Sequence, residues 1–184
     1  MKTNIQFLKR RQLLTAVGLA APAFWLSGCG GQPASATADA NRPFQTLELS
    51  EDQWREILTS EEFRVLRGEG TEPAFSSPLD AEYGDGTYIC AGCNLALFSS
   101  EHKFDSGTGW PSFWRPIDAD HVGTKRDFKL ILPRTEYHCA RCGGHQGHIF
   151  EDGPEPTGER WCNNGVALRF VPAGEEPPAL RTRA

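Results

Sequence analysis

The feature that most constrains the fold is a pair of Cys-x-x-Cys motifs, Cys90/Cys93 and Cys139/Cys142, with 45 residues between them. Two such pairs are typical of a tetrahedral zinc site with four thiolate ligands. A metal held in this way would clamp two distant strand-turn segments together, and its closed coordination sphere makes it structural rather than catalytic. Two disulfides, free thiols or a redox-active Cys-x-x-Cys are the alternatives.

A further cysteine, Cys162, lies outside these pairs in the run Arg160-Trp161-Cys162-Asn163-Asn164. In a strand, Arg160, Cys162 and Asn164 share one face because they are two residues apart. A guanidinium beside a thiol favours the thiolate and lowers the pKa of the cysteine, which makes Cys162 a candidate nucleophile. An inert buried cysteine is the alternative.

Residues 1–28 have the composition of an export signal. An apolar run from Leu13 to Leu26, about 14 residues long, is too short to cross a bilayer of ~30 Å. Arg10-Arg11 resembles a twin-arginine (Tat) signal, and Leu26-Ser27-Gly28-Cys29 resembles a lipobox in which Cys29 carries the lipid. Cleavage after Ala34-Ser35-Ala36 is the alternative. We therefore expect an exported, periplasmic or otherwise extracytoplasmic protein that Cys29 anchors to a membrane.

The remaining chain is acidic and long enough for one domain. Without residues 1–28 it has 15 basic and 24 acidic residues, a net charge of about −9. There is no basic patch with interleaved aromatics, so nucleic acid is not an expected partner. Residues 29–45 are predicted to be a flexible tether, residues 46–172 a single domain and residues 173–184 a disordered tail. We expect a monomer.

The secondary-structure signals favour a mostly β fold with a short helical N-terminal segment. Ser50 and Gln53 form a predicted capping box at the start of one helix, and Ser60 begins a second. From Gly86 onward, short runs of aromatic and β-branched residues alternate with Gly and Pro, which is typical of strands. The predicted strands are residues 87–89, 128–132, 135–138, 148–150 and 166–170.

Two further segments have a composition that suggests chemistry. Residues 104–114 are dense in Gly, Pro and aromatics, and Trp110 between Gly109 and Pro111 is expected to form a pocket wall. Residues 145–154 contain His145 and His148, which we assign to acid-base or hydrogen-bonding roles rather than to the metal. Residues three apart on a strand point to opposite faces, so the two histidines converge only if Gly147 bends the chain. A structural role is the alternative for either one.

Five motifs occur together in one order: Cys90-x-x-Cys93, Gly109-Trp110-Pro111-Ser112-Phe113, Cys139-x-x-Cys142, His145-x-x-His148-x-Phe150-x-Asp152-Gly153-Pro154 and Arg160-x-Cys162-x-Asn164. In this order and spacing, residues 46–171 resemble the peptide-methionine (R)-S-oxide reductases of the MsrB family. The resemblance implies two antiparallel β-sheets, one structural zinc ion and thiol-dependent reduction of methionine sulfoxide in oxidised proteins or peptides.

The resemblance also implies roles for individual residues. Cys162 matches the nucleophile, and Arg160 and Asn164 match residues that flank it. His145, His148 and Asp152 match the polar groups that bind and protonate the sulfoxide oxygen. Trp110 matches the aromatic wall that receives the substrate methyl group, and Phe150 is assigned to substrate binding with it.

The sequence departs from many family members in having no spare cysteine to resolve the oxidised Cys162. Four of its six cysteines are assigned to zinc and Cys29 to the lipid. We therefore predict a one-cysteine cycle, in which a thioredoxin-like or other external thiol reduces a sulfenic acid on Cys162. The alternative is a catalytically silent, zinc-stabilised binding module on the same fold.

Overall fold

The computed structural model describes residues 43–129 and 132–182. The predicted export signal, residues 29–42 of the tether and Cys29 lie outside the described residues. Within the described residues, no helix has the length and the apolar character needed to cross a membrane.

Both predicted helices are present, and each begins with a capping box. Helix α1 (Glu51–Ile57) follows the N-cap Ser50, and helix α2 (Ser60–Leu66) follows the N-cap Thr59. In each helix the N-cap side chain accepts the backbone N–H three residues later, and the side chain of that residue accepts the N-cap N–H. Helices of seven residues are marginal alone, so caps and packing must stabilise them. Their buried side chains are Trp54, Val65 and Leu66.

Strands make up most of the remaining regular structure. Those in the described residues are β1 (Gly86–Cys90), β2 (Ala96–Ser99), β3 (Lys103–Phe104), β4 (Ser112–Phe113), β5 (Val122–Asp127), β6 (Arg134–Cys139), β7 (His145–Phe150), β8 (Arg160–Asn163) and β9 (Leu168–Pro172). Short 3₁₀ turns cover Pro78–Asp80, Ser100–His102, Ala119–His121 and Gly165–Ala167. Because of the last of these turns, the final strand begins at Leu168 and not at the predicted Val166.

All the strand pairs in the described part of the chain are antiparallel, and they form two sheets. The smaller sheet has the order β2-β1-β9, and the larger has the order β3-β4-β8-β7-β6-β5. The predicted fold class, mostly β with two antiparallel sheets and a short helical N-terminal segment, is therefore confirmed. This order places β8, which carries Cys162, between β4 and β7 in the interior of the larger sheet.

Aromatic side chains from both sheets meet in the core. Phe98 of β2 stacks on Phe113 of β4 with ring centroids 4.2 Å apart, and Tyr88 of β1 meets Phe113 edge to face at 4.9 Å. Tyr137 of β6 contacts Trp161 of β8 at 4.9 Å. These rings are buried, so the packing that joins the two sheets lies directly beneath the strand of Cys162.

One predicted strand is wrong. The sequence predicts a strand over residues 128–132, but β5 ends at Asp127, and neither Phe128, Lys129 nor Leu132 belongs to a strand. The Asp127 carboxylate accepts the backbone N–H of Lys129 at 2.9 Å, a side-chain turn that competes with the strand ladder. Phe128 and Leu132 are 72% and 77% exposed, so the apolar character of this run does not mark a buried strand.

Candidate active site and metal centre

The two Cys-x-x-Cys segments form matching turns at the ends of β1 and β6. The backbone N–H of Asn94 donates to the carbonyl of Cys90 at 2.9 Å, and that of Gly143 donates to the carbonyl of Cys139 at 2.8 Å. Asn94 and Gly143 both have positive φ, 64° and 68° respectively, and these are residue types that tolerate this conformation. The chain therefore builds the same turn twice, and each turn presents two sulfurs.

The four sulfurs have the spacing of a metal site. All four cysteines are buried, and their Sγ atoms lie within 4.8 Å of one another. The Cys90–Cys142 and Cys93–Cys139 sulfurs are 3.7 and 3.5 Å apart. Four sulfurs at ~2.3 Å from a tetrahedral zinc ion are ~3.8 Å apart, whereas a disulfide requires ~2.05 Å. The predicted grouping of these cysteines as metal ligands is consistent with this geometry, and two disulfides are not.

Gln146 and Arg141 support the two turns, a contribution that the motifs do not reveal. The side chain of Gln146 is fully buried, and its Nε2 donates to the sulfur of Cys90 at 3.5 Å. Arg141 donates to the carbonyl oxygens of Cys93 at 3.3 Å and Arg181 at 2.6 Å. An N–H donor beside a ligand sulfur stabilises its thiolate form and orients it.

The C-terminal residues, predicted to be disordered, reach the first turn. The side chain of Asn94 donates to the carbonyl of Ala179 at 2.9 Å, and the backbone N–H of Arg181 donates to the carbonyl of Cys93 at 3.1 Å. The described part of the tail therefore contributes hydrogen bonds to the segment that carries two of the sulfurs.

Cys162 lies on β8 beside a cavity of about 190 Å³. The strand register pairs Cys162 with Ser112 of β4 and with His148 of β7, and its side chain is partly accessible. The structure brings five predicted site residues to the wall of this cavity. They are Trp110, His148, Phe150, Cys162 and Asn164. The other three do not form the wall: His145 lies beside His148, Arg160 lies against Phe150, and Asp152 is hydrogen-bonded to Arg160.

Arg160 and Asp152 form a two-point ion pair next to Cys162. The guanidinium donates to both carboxylate oxygens, at 2.8 and 2.9 Å, and lies 4.2 Å from the centroid of the Phe150 ring. Burial raises the pKa of Cys162 above its ordinary value, and this exceeds the lowering caused by Arg160 and by a hydrogen bond from Thr108. Arg160 lowers the pKa of Cys162 as predicted, but desolvation outweighs this effect, so the net shift of the pKa is upward.

His145 and His148 converge although they are three residues apart on β7. Tyr137 of β6 pairs with Gly147, and the next β6 residue pairs with His145, which leaves Gln146 as the extra residue of a β-bulge. The centroids of the two imidazoles are consequently 5.4 Å apart. The expectation of a bend at Gly147 is corrected, since the irregularity lies one residue earlier.

Each histidine has a buried carboxylate partner that the sequence did not reveal. His148 Nε2 lies 2.7 Å from Asp127 Oδ2, and His145 Nδ1 lies 3.0 Å from Glu136 Oε1. Arg134 also lies 2.7 Å from Asp127 Oδ2. Asp127 is on β5 and Glu136 is on β6, the two strands that precede β7 in the chain. The sequence shows an acidic residue in each of these strands, but nothing in it pairs them with the histidines.

These contacts fix the state of His148. Burial lowers the pKa of His148, the hydrogen bond that His148 donates to Asp127 opposes this, and electrostatic interaction with Arg134 and His145 reinforces it. The backbone N–H of Lys129, together with His148 and Arg134, holds the pKa of Asp127 well below its usual range. At neutral pH the imidazole of His148 is therefore neutral, with its proton on Nε2 facing a charged carboxylate and Nδ1 as the acceptor.

Asn164 and Glu72 hold the cavity wall together. Asn164 Oδ1 accepts the backbone N–H of Glu72 at 3.0 Å, and Asn164 Nδ2 donates to the carbonyl of Gln146 at 2.9 Å. The buried Glu72 carboxylate accepts two successive N–H groups of the turn after Asn164, and its carbonyl accepts Trp110 Nε1 at 3.1 Å. Glu72 therefore positions Trp110 and Asn164, and no motif in the sequence marks it.

The domain that carries this site is a SelR domain, since residues 58–172 match the model of that family. The peptide methionine sulfoxide reductase MsrB of Methanosarcina barkeri is 50% identical over 126 residues, 68% of this chain and 89% of that protein. The MsrB of Leptospira interrogans is 47% identical over 124 residues, 67% of this chain and 95% of that protein. The MsrB of Pseudomonas aeruginosa PAO1 is 49% identical over 121 residues, 66% of this chain and 92% of that protein. The chain belongs to the MsrB family of peptide methionine sulfoxide reductases, as its five motifs predict.

Proposed function

We propose that the protein reduces the R epimer of methionine sulfoxide in peptides and proteins, with Cys162 as the nucleophile. The observation that carries this proposal is the position of Cys162 at a cavity that Trp110 and His148 also border. Its volume of about 190 Å³ is below the ~300–1,000 Å³ of pockets that enclose drug-sized ligands, so it suits a single side chain. The indole suits the apolar methyl group of the substrate, and the imidazole suits its polar oxygen.

The protonation states support a transfer through His148. The pKa of Cys162 is raised and that of His148 is lowered, so the thiol and the imidazole are both neutral near pH 7. A neutral imidazole takes the thiol proton as Cys162 attacks and gives it to the sulfoxide oxygen, which leaves only when protonated. The Asp127 carboxylate accepts a hydrogen bond from the Nε2–H group of His148 and stabilises the imidazolium that forms between these two steps.

The reaction balances without another reactant. The sulfur of Cys162 bonds to the substrate sulfur as the protonated oxygen leaves and the substrate S–O bond breaks. That oxygen then bonds to the Cys162 sulfur, and the S–S bond breaks, which releases methionine and leaves a sulfenic acid on Cys162. The cysteine sulfur is oxidised by two electrons, and the sulfoxide is reduced to the thioether by the same two. Arg160, held by Asp152, offsets the charge of the attacking sulfur, and His145 with Glu136 supports the ring of His148.

Regeneration of Cys162 requires thiols from outside the chain. One external thiol displaces water from the sulfenic acid to give a mixed disulfide, and a second thiol releases Cys162 with formation of the external disulfide. This proposal rests on the cysteine inventory, since four of the six lie in the metal centre and Cys29 lies in the predicted lipobox. A thioredoxin-like protein or a small dithiol has the required chemistry.

Zinc is the metal that best fits the four-cysteine centre. Four thiolates are a donor set that zinc favours, and Cys90, Cys93, Cys139 and Cys142 would hold it. The ion would supply a clamp between the turns that follow β1 and β6. With all four positions taken by sulfur, it would have no part in the chemistry at Cys162.

The place of action proposed here is outside the cytoplasm. The support is the sequence of residues 1–29, with its Arg10-Arg11 pair, its apolar run and the lipobox-like Leu26-Ser27-Gly28-Cys29. Mass spectrometry of the protein from its native membrane fraction should find acyl groups on Cys29. A mature N-terminus downstream of Cys29, as after Ala36, would contradict the lipid anchor and leave only export.

The enzymatic proposal is tested with the separate epimers of a blocked methionine sulfoxide and a dithiol reductant. Only the R epimer should be consumed, and Cys162→Ser should abolish turnover while the far-ultraviolet dichroism stays unchanged. Cys29→Ser is the matched control, since it also removes one cysteine and should retain activity. Turnover by Cys162→Ser would contradict the assignment of Cys162 as the nucleophile. Absence of turnover with both epimers would indicate a silent binding module. The complete set of polar and aromatic groups at the cavity argues against that alternative.

A further inference from the structure

An exposed aromatic ring stands at the rim of the Cys162 cavity, outside its wall. Phe75 is 71% exposed, and its backbone has a φ of 62°, in the left-handed region. A bulky aromatic residue rarely adopts this conformation, which costs roughly 1–2 kcal/mol. The exposed ring of Phe75 does not offset this cost by packing in the core. An exposed ring held at such a cost is a candidate contact for a binding partner.

The ring of Phe75 is held in a fixed position. Its backbone N–H donates to the carbonyl of Gly109 at 2.7 Å, and its ring lies over Gly109, where an added Cβ would be 2.7 Å from the ring. On the other side, the backbone N–H and the hydroxyl of Ser76 both donate to the carbonyl of Pro73, at 3.3 and 2.6 Å. Gly109 therefore serves as a flat base on which the Phe75 ring rests.

The same two segments build the cavity and its rim. Trp110, the residue after Gly109, lines the cavity, and its indole N–H donates to the carbonyl of Glu72. Thr71 lines the cavity as well. The chain thus runs from the cavity wall at Thr71 to the exposed ring at Phe75, and two hydrogen bonds tie it to the Gly109-Trp110 segment.

The geometry points to Phe75 as a specificity-determining contact for the residues beside the methionine sulfoxide in a peptide substrate. This inference rests on the proposed function. The cavity has room for one side chain, so the backbone and neighbouring residues of a bound peptide must cross the rim. An exposed aromatic face favours apolar neighbours. The occupant is therefore an extended peptide in which an apolar residue adjoins the oxidised methionine, as where oxidation has opened a hydrophobic core.

The test compares three substrates that share the reacting group. They are a blocked methionine (R)-sulfoxide amide, a pentapeptide with leucine on both sides of the sulfoxide, and the same peptide with glycine instead. Phe75→Ala should raise the KM of the leucine peptide by roughly three- to tenfold, the range for loss of one aromatic contact, with kcat unchanged. The KM values of the glycine peptide and the blocked amide should change less than twofold in Phe75→Ala. Phe75→Tyr should restore the preference for the leucine peptide.

Two further variants make the outcome decisive. Phe75→Asn removes the ring with a residue that suits positive φ, so it supplies a folded variant if alanine disturbs the turn. Tyr83→Ala removes another exposed aromatic side chain, which lies against Lys103 and is not part of the cavity wall. This variant should leave the KM of all three substrates unchanged. An equal rise in KM for all three substrates in the Phe75 variants, or no rise for any of them, would overturn the inference. Failure of the wild-type protein on the blocked amide would instead contradict the proposed function.

Discussion

Gly147 lies so close to the backbone of Cys162 that a Cβ added to Gly147 would be 1.9 Å from the Cys162 carbonyl oxygen. These residues lie on the neighbouring strands β7 and β8, and Gly147 pairs directly with Asn163. The strand that carries the nucleophile is therefore packed against a position that has no room for a side chain. Glycine at 147 is a requirement of this backbone approach and not of positive φ.

The first prediction concerns Gly147→Ala. The added methyl must push β7 away from β8, so we expect a loss of about 2–3 kcal/mol in the free energy of unfolding and a lower kcat/KM. Gly174→Ala is the control, because Gly174 has a φ of 88° with open space around it, and only backbone strain of roughly 1 kcal/mol applies. Urea unfolding measures both, and equal effects of the two variants would contradict the clash.

The second prediction concerns Asp127 and the pH dependence of the reaction. Because protonated His148 cannot take the thiol proton, kcat/KM should fall as the pH decreases through the pKa of His148. The charge of Asp127 opposes the lowering of this pKa, while Arg134 and His145 reinforce it. Asp127→Asn should therefore move the fall in kcat/KM to lower pH and reduce the plateau by about tenfold or more.

A pH profile of kcat/KM from 4.5 to 8 with the blocked sulfoxide checks this second prediction. Asp120→Asn is the matched control, since Asp120 is exposed and lies in a turn away from the cavity wall. An unchanged midpoint in Asp127→Asn would show that the carboxylate does not act through His148. The same midpoint shift in both variants would show a general effect of charge.

The residues of the site that could be predicted from the sequence are those that lie in local motifs. Cys-x-x-Cys spacing indicated the metal centre, and the five cavity residues from Trp110 to Asn164 came from runs whose composition is unusual. What the sequence could not supply was the pairing of strands. Asp127 and Glu136 meet the histidines only because β5, β6 and β7 are neighbours in the sheet. Strand order is a long-range property, and no local pattern contains it.

Two smaller misses have local physical causes. The convergence of His145 and His148 depends on a bulge at Gln146, and a single extra residue leaves no mark in a strand pattern. The predicted lowering of the Cys162 pKa considered its neighbour Arg160 but not burial, which has the larger effect here. Spacing gives the neighbours of a residue along the chain, but it gives neither the local pairing register of a strand nor the depth of a residue in the fold.

The third prediction concerns removal of the metal. Purified protein should contain about one zinc ion per chain, and removal by a chelator should lower the melting temperature markedly, because metal binding contributes directly to folding. Cys142→Ser should lose the metal and be destabilised, whereas Cys162→Ser should keep both metal and stability. Full stability of the metal-free protein, with two disulfides found by mass spectrometry, would contradict the clamp.

The fourth prediction concerns the fate of Cys162 after one turnover. Among the described cysteines, Cys162 alone is partly accessible, while the other four are buried in one cluster. One equivalent of the R sulfoxide without reductant should therefore leave a sulfenic acid on Cys162. Dimedone should trap it, as a single adduct in a peptide map. The S sulfoxide is the control and should give no adduct. An internal disulfide between Cys162 and a metal-centre cysteine, with release of the metal, would contradict the one-cysteine cycle, because it would show that the centre supplies the resolving thiol.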